Sequence, residues 1–147
     1  MFTTCFCANA RCFLSATNVD ESRIDEICRI IGEISFAENC VPSTLEGKCV
    51  QDADRLDAIG AVGIARAFAY GGNHNRLMYH PDVKPNLNMS KEEYVNSKST
   101  TVNHFYEKLF KLTDMMNTDT AKSIAKERDA YMKAFIAEFL DEWEGNK

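Results

Sequence analysis

Three aspartates lie close together in a stretch that otherwise has the composition of a buried helix. They are Asp52, Asp54 and Asp57, within Val50–Gly60, and Arg55 stands among them. Aspartate is a poor residue inside a helix because its side chain competes for main-chain hydrogen bonds, so the cluster requires an explanation. Asp54 and Asp57 share a helical face, whereas Asp52 points about 200° away from Asp54. Two interpretations remain open: a solvated acidic face with Arg55 in a local ion pair, or a metal-binding or catalytic carboxylate.

The histidines offer weaker candidates. His104 and Lys108 are four residues apart and share a helical face, so they form a candidate pair of phosphate-facing groups. The alternative is that His104 forms hydrogen bonds within helix packing while Lys108 is solvated. His74 and His80 fall in a proline-containing stretch and are expected to be exposed.

The six cysteines do not have the spacing of a metal site or of a disulfide framework. No Cys-x-x-Cys pair occurs, and no histidine precedes His74. A structural zinc site is therefore not expected. The first sixteen residues lack a basic start, and polar Asn9 and Arg11 interrupt them, which makes a poor signal peptide. Reduced thiols and a cytoplasmic location are favoured.

Composition limits the class of protein and its partners. A chain of 147 residues is typical of one domain. Seventeen Lys and Arg against 22 Asp and Glu give a net charge of −5, with no basic stripe, so nucleic acid is not expected as a main partner. No apolar run approaches the roughly 18 residues of a membrane span, so no membrane association is expected.

The periodicity predicts an all-α fold that follows an irregular N-terminal extension over residues 1–17. A first helix begins at Asp20, with Ile24, Ile27, Cys28, Ile31 and Ile34 on its apolar face. The capping box Ser43-Thr44-Leu45-Glu46 opens a long helical stretch through Tyr70, which ends at Gly71-Gly72. Gly60 and Gly63 lie inside this stretch, where close helix packing explains them better than a phosphate-binding loop does.

The second half of the chain is predicted as a loop followed by two helices. Residues 73–99 form a long loop with one short helix around Glu92 to Val95. Thr100 or Thr101 caps the next helix, and the last helix starts near Thr118 to Thr120 and ends at Gly145. The expected core positions of these two helices are Val102, Phe105, Leu109, Leu112, Met116, Ile124, Ala125, Met132, Phe135, Ile136, Phe139 and Trp143.

Three blocks of the sequence resemble a bacterial group of HD-superfamily metal-dependent phosphohydrolases. They are QDADRLDAIGAVGIARAFAYGG, TTVNHFYEKLFKLTDMMNT and AKSIAKERDAYMKAFIAEFLDEW, and the resemblance extends from Ile24 to Trp143. It implies a helical HD-like domain over residues 18–147 that is incomplete on its N-terminal side. It also implies a small nucleotide-like phosphate ester or anhydride as substrate.

The resemblance assigns roles to individual residues. The family holds a divalent metal, Mn2+ or Mg2+, with a His, an adjacent His-Asp pair and a distant Asp, and the last of these matches Asp54. Asp57, His104 and Lys108 are then expected either to contact the metal ligands or to face the substrate. A metal of this kind lowers the pKa of a bound water and offsets charge on the phosphoryl oxygens.

The chain departs from the family pattern because it lacks the other expected metal ligands, the His and the adjacent His-Asp pair. It contains no His-Asp dipeptide, and all three histidines follow Asp54. The resemblance therefore implies a truncated phosphohydrolase with impaired activity. The alternative is a non-catalytic remnant or a helical interaction module. A missing helical layer is expected to leave Leu56, Ile59 and Ile64 uncovered, which favours self-association as a homo-oligomer.

Overall fold

A computed structural model describes residues 2–34, 36, 40–89, 93 and 99–147. For residues 2–6 it describes the main chain. These residues form six α-helices and one 3-10 helix, and the described part of the chain contains no strand. The α-helices are α1 (Phe2–Ala16), α2 (Glu21–Ile34), α3 (Leu45–Asp57), α4 (Gly60–Asn73), α5 (Thr101–Glu107) and α6 (Asp119–Trp143). The 3-10 helix is Leu109–Met115. The predicted all-α class is confirmed.

The chain divides into two compact units, Met1–Asp54 and Arg55–Lys147. None of the described helices is both long and apolar enough to cross a bilayer. The predicted boundary between an extension at 1–17 and a domain at 18–147 stays a prediction.

The first unit contains a helix where the sequence predicts irregular chain. Helix α1 packs against α2, and Arg11 of α1 forms ion pairs with Glu21 and Asp25. Asn18 adopts a left-handed conformation with φ of 57°, which ends α1 and turns the chain towards α2. The prediction is wrong here because this helix is stabilised by contacts with its neighbour rather than by a strong pattern of its own.

Helix α2 begins as predicted, and its buried face agrees in part with the predicted one. The Asp20 carboxylate accepts a hydrogen bond from the Ser22 main-chain nitrogen at 3.1 Å, and the Ser22 hydroxyl and this nitrogen together lower the pKa of Asp20. Ile24 and Ile30 are buried, whereas Ile27 is 36% exposed. The predicted face therefore differs from the observed one at Ile27, which is exposed, and at Ile30, which is buried.

The long helix predicted from Leu45 to Tyr70 is two helices. Thr44, not Ser43, caps α3, since its hydroxyl accepts from the Gly47 nitrogen at 3.2 Å. The break falls at Ala58 and Ile59, where Gly60 has a φ of 79° that favours glycine.

The glycine at position 63 permits a close approach of two parts of the main chain. A Cβ there would lie 2.3 Å from the Ala58 carbonyl oxygen, so close packing explains this glycine as predicted.

The second unit is built on α4, α5, the 3-10 helix and α6. Helix α6 packs against α4 and against the 3-10 helix, and α5 packs against α4. The five predicted core positions of the 101–116 region are all at most 4% exposed: Val102, Phe105, Leu109, Leu112 and Met116. They lie on α5, on the 3-10 helix that follows it and, for Met116, directly after that helix, rather than on one continuous α-helix.

An aromatic cluster forms around Phe68 in this unit. Its ring centroid lies 5.8–6.1 Å from those of Phe105, Phe135 and Phe139. On α6, Ile124 and Trp143 are 39% and 49% exposed, so these two predicted core positions are wrong. A 3.6-residue period places apolar residues on one stripe but does not by itself decide which of them are covered.

The expected uncovered apolar face is absent at two of its three positions. Ile59 and Ile64 are 1% and 7% exposed, and Leu56 is half-buried. The helix break turns the chain after Ile59, and α4 then packs on α6. Self-association of the chain stays a prediction.

Hydrogen bonds from side chains and from the main chain of the second unit hold the described part of the predicted loop. The Asn103 amide donates to the Val83 carbonyl at 2.8 Å, and Lys111 donates to the Leu87 carbonyl at 2.6 Å. The main-chain nitrogen of Thr101 donates to the Leu77 carbonyl at 2.9 Å. The short helix predicted around Glu92 to Val95 lies outside the described residues, apart from Glu93.

Candidate functional site

A cleft of about 450 Å3 in the second unit is the main candidate site. It is formed between α4 and α5, with Arg76 contributed by the chain just after α4. Its lining comprises Ala58, Gly63, Arg66, Ala67, Tyr70, Arg76, Thr101, His104, Glu107, Lys108 and Leu109. Five of these eleven residues carry ionisable nitrogen or carboxylate groups, so the cleft is polar as well as concave.

Helical spacing places most of the lining residues. On α4, Gly63, Arg66, Ala67 and Tyr70 recur at three- and four-residue intervals and so share one face. On the other wall, Thr101, His104 and Lys108 do the same. The Thr100 hydroxyl caps α5 by accepting from the Asn103 nitrogen at 3.2 Å, which fixes where this face begins.

His104 is a neutral imidazole in this cleft at neutral pH. Burial lowers its pKa, and the nearby charges of Lys108 and Arg76 lower the pKa further, to about 4. The predicted pair of His104 and Lys108 therefore faces one cleft, and Lys108 carries its positive charge. The sequence left open whether the two residues face a site, and the structure places both in the lining.

Glu107 is the acidic residue of the lining, and it is 5% exposed. Its Oε1 accepts a hydrogen bond from the Asn86 main-chain nitrogen at 3.1 Å and another from the Ser99 hydroxyl at 2.7 Å. These bonds satisfy the buried carboxylate and attach the chain at Asn86 and at Ser99 to α5.

Asp57 contacts the cleft through another residue. It is exposed, and both its carboxylate and its main-chain oxygen accept hydrogen bonds from Arg66. Arg66 lines the cleft, whereas Asp57 does not. Asp57 therefore orients one of the cationic side chains of the cleft.

The other residues of the aspartate cluster are divided between surface and core. Asp54 is exposed on α3, while Asp52 and Arg55 are each 3% exposed. The Arg55 guanidinium donates to the Met115 carbonyl oxygen within the second unit. A solvated acidic face thus describes Asp54 and Asp57 but not Asp52 and Arg55, which are buried. The role of Asp54 as a metal ligand stays a prediction.

The described side chains do not assemble a complete donor set for a divalent metal. No group of three or more His, Cys, Asp or Glu residues able to hold an ion occurs among them. Ions at phosphoryl-transfer centres take several oxygen or imidazole ligands. Asp54 alone does not meet that requirement.

The two remaining histidines are exposed, as predicted. The His74 ring stacks on Tyr70 with centroids 3.8 Å apart. The His80 Nδ1 accepts a hydrogen bond from the Asp82 nitrogen at 3.2 Å.

Sequence reasoning missed four important residues of the cleft: Arg66, Tyr70, Arg76 and Glu107. Arg66 and Tyr70 could have been found, since they are four residues apart on an otherwise small and apolar helix face. Arg76 and Glu107 carry no such signal, because they reach the cleft only through the packing of separate elements.

Solved structures of high similarity share this fold. A protein from Lactobacillus plantarum is 47% identical, with a TM-score of 0.84 over 90% of this chain and 64% of its own. An HD-superfamily hydrolase from Bacillus thuringiensis is 45% identical, with a TM-score of 0.66 over 90% of this chain and 59% of its own. The chain has an HD-like helical fold. The fold that the sequence blocks implied is thus supported.

A third relative is the YpgQ protein of Bacillus subtilis. It is 40% identical over 122 residues, which cover 80% of this chain and 52% of that protein. Its crystal structure in complex with ADP has a TM-score of 0.69 and 36% identity, over 92% of this chain and 62% of the other. This chain thus spans about half the length of its curated relative. No protein-family model matches it.

Proposed function

We propose that this chain carries the phosphate-binding part of an HD-type phosphohydrolase whose ligand is a small nucleotide-like phosphate ester or anhydride. The observation that carries the proposal is the charge of the cleft. Arg66, Arg76 and Lys108 line it beside one carboxylate, in a chain whose net charge is −5. Positive side chains gathered in one concave site raise the local concentration of small anions.

Size and chemistry support a nucleotide. The volume of about 450 Å3 lies within the range of small-molecule sites. Arginine and lysine donate charge-assisted hydrogen bonds to phosphate oxygens. Tyr70 offers an aromatic surface at the same cleft, and the crystal structure of the relative YpgQ contains ADP.

The residues divide the work of binding between them. The Arg76 guanidinium and the Lys108 ammonium provide donors to the phosphates, and Arg66 provides a third cation that Asp57 orients. His104 stays neutral among them, which avoids another buried charge beside the three cations.

Hydrolysis is proposed to be impaired in this chain. The resemblance gives Asp54 as a ligand for Mn2+ or Mg2+, and when bound such a metal would activate water and offset phosphoryl charge. The described residues do not fit the ion by themselves. The same observation favours the second candidate function, a non-catalytic remnant that retains ligand binding.

Calorimetric titration of ADP into the chain tests the proposal. Loss of a charge-assisted hydrogen bond costs about 1.5–3 kcal/mol, so we expect Arg76→Ala and Lys108→Ala each to weaken binding roughly tenfold to a hundredfold. Lys126→Ala removes the same charge from an exposed position on α6 and serves as the matched control. Adenosine, which lacks phosphates, should bind much more weakly than ADP.

The outcomes separate the alternatives. ADP binding that is equal in Arg76→Ala, Lys108→Ala and the parent would show that the cleft is not the phosphate site. Binding by the parent without phosphate release in the presence of Mn2+ would favour the non-catalytic remnant. Rapid release would show that the metal site is complete.

A further inference from the structure

Two cysteines face each other across the helix pair of the first unit. The Cys7 sulfur lies 3.3 Å from the Cys28 carbonyl oxygen, and the Cys28 sulfur lies 3.7 Å from the Cys7 carbonyl oxygen. Each thiol thus reaches across to the main chain of the other residue. This reciprocal contact places Cys7 and Cys28 at the same level of α1 and α2.

An ion-pair network fixes that level independently. Arg11 lies one turn after Cys7 on α1, and it forms ion pairs with Glu21 and Asp25 of α2. Asp25 lies three residues before Cys28, on the same face of α2. The two helices are therefore held in a register that keeps the two thiols together.

The other described cysteine side chains have different surroundings. Cys40 donates to the Glu33 carbonyl oxygen at 3.2 Å, and Cys12 and Cys49 are exposed. Cys7 and Cys28 are both half-buried. Among the cysteine side chains that the structure describes, those of Cys7 and Cys28 are the pair in which each contacts the other residue.

We propose that Cys7 and Cys28 form a reversible intrachain disulfide when the protein meets a small-molecule disulfide such as oxidised glutathione. A disulfide requires Cα atoms about 4.4–6.8 Å apart and sulfurs that turn towards each other. The reciprocal contacts bring the main chain of each residue within reach of the other's thiol, and rotation about the side-chain bonds can turn the two sulfurs towards each other. The product joins α1 covalently to α2.

The exchange proceeds in two balanced steps. One cysteine thiolate attacks a sulfur of oxidised glutathione, which breaks its S–S bond and releases one glutathione thiolate. The second cysteine thiolate then attacks the protein sulfur of this mixed disulfide and releases the second glutathione. Two protein thiols are oxidised, one disulfide is reduced, and the two protons end on the glutathione thiols. Cys12 and Cys49 are expected to stop at the mixed disulfide.

Peptide mapping of the oxidised full-length chain tests the proposal. The reduced protein is treated with oxidised glutathione at low protein concentration, quenched with acid and digested with trypsin without reduction. We expect the peptide of residues 1–11 to be linked to that of residues 24–29, with a mass lower by two hydrogens than the sum of the two. The link should be lost on reduction.

Variants identify the sulfurs, because the first peptide also contains Cys5. The link should persist in Cys5→Ser and disappear in Cys7→Ser and in Cys28→Ser. Cys5→Ser keeps both proposed partners, so it decides the question even if the other variants fold poorly. A parent in which Cys28 is recovered only as a glutathione adduct overturns the proposal, as does loss of the link in Cys5→Ser.

Discussion

Gly63→Ala is expected to destabilise the second unit although alanine is the better helix former. The added Cβ would lie 2.3 Å from the Ala58 carbonyl oxygen and 2.6 Å from its carbonyl carbon. Ordinary contacts lie near 3.5 Å, so the main chain would have to separate by roughly 1 Å. The obstructing atoms belong to the main chain of Ala58, which cannot rotate away as a side chain can. Ala58 also lies two residues before Gly60, whose φ of 79° constrains the same turn.

The expected magnitude follows from two opposing terms. Overpacking of a rigid site costs about 1–3 kcal/mol, and replacing a helical glycine with alanine returns about 1 kcal/mol. A clash with main-chain atoms belongs at the upper end, so we expect a net loss of about 2 kcal/mol. Gly72→Ala is the matched control: it lies on the same helix, and its added Cβ would meet nothing within 4 Å. This control should gain about 0.5–1 kcal/mol.

Urea unfolding followed by far-ultraviolet circular dichroism measures both variants. The expected difference in the free energy of unfolding between them is about 3 kcal/mol, in favour of Gly72→Ala. If Gly63→Ala is as stable as the parent, the approach of Ala58 to Gly63 is not rigid. The close approach would then not be what requires a glycine at position 63.

Three further predictions concern the cleft and the metal. The pKa of His104 is about 4, below the ordinary 6.5, so the unfolded chain binds its proton first as the pH falls. Stability should therefore decline between about pH 6.5 and pH 4 by up to about 3 kcal/mol from this group. Urea unfolding across that range should show a flatter profile for His104→Gln, and an unchanged profile would contradict the assignment. Glu107→Ala should lower the free energy of unfolding by about 1–3 kcal/mol because two donors lose their acceptor. Glu107→Gln, which keeps an acceptor oxygen, should lose less in the same assay. Added Mn2+ should change the melting temperature of the parent and of Asp54→Ala by the same amount. A ligand that binds the native state must raise the melting temperature, so equal changes would mean that Asp54 holds no metal. A rise in the parent alone would show a working metal site.

Local hydrogen bonding explains which boundaries could be predicted. Asp20, Thr100 and Thr118 were expected at helix starts, and each accepts a hydrogen bond from the first turn of its helix. A capping side chain and its partner lie within three residues, so the pattern is complete in the sequence. The break at Ala58 is different, because its cause lies in a left-handed glycine that a helical period does not reveal.

The candidate site was predictable where one helix carried the signal. His104 and Lys108 share a face by spacing alone, and both line the cleft. Arg76 lies 28 positions before His104 in the chain, and nothing in the spacing indicates that its charge helps to lower the pKa of that imidazole. Charges from separate elements interact only after packing has removed the water between them.

The sequence by itself determined the all-α class, most helix starts and the apolar face of Val102 to Met116, because these depend on neighbours within a few residues. The tertiary structure decided that residues 2–16 form a helix, since the contacts of Arg11 and Cys7 come from α2. It also decided the cleft, whose cations come from α4, from the chain after it and from the end of α5. Long-range packing gives these residues a common site, and no local period contains that information.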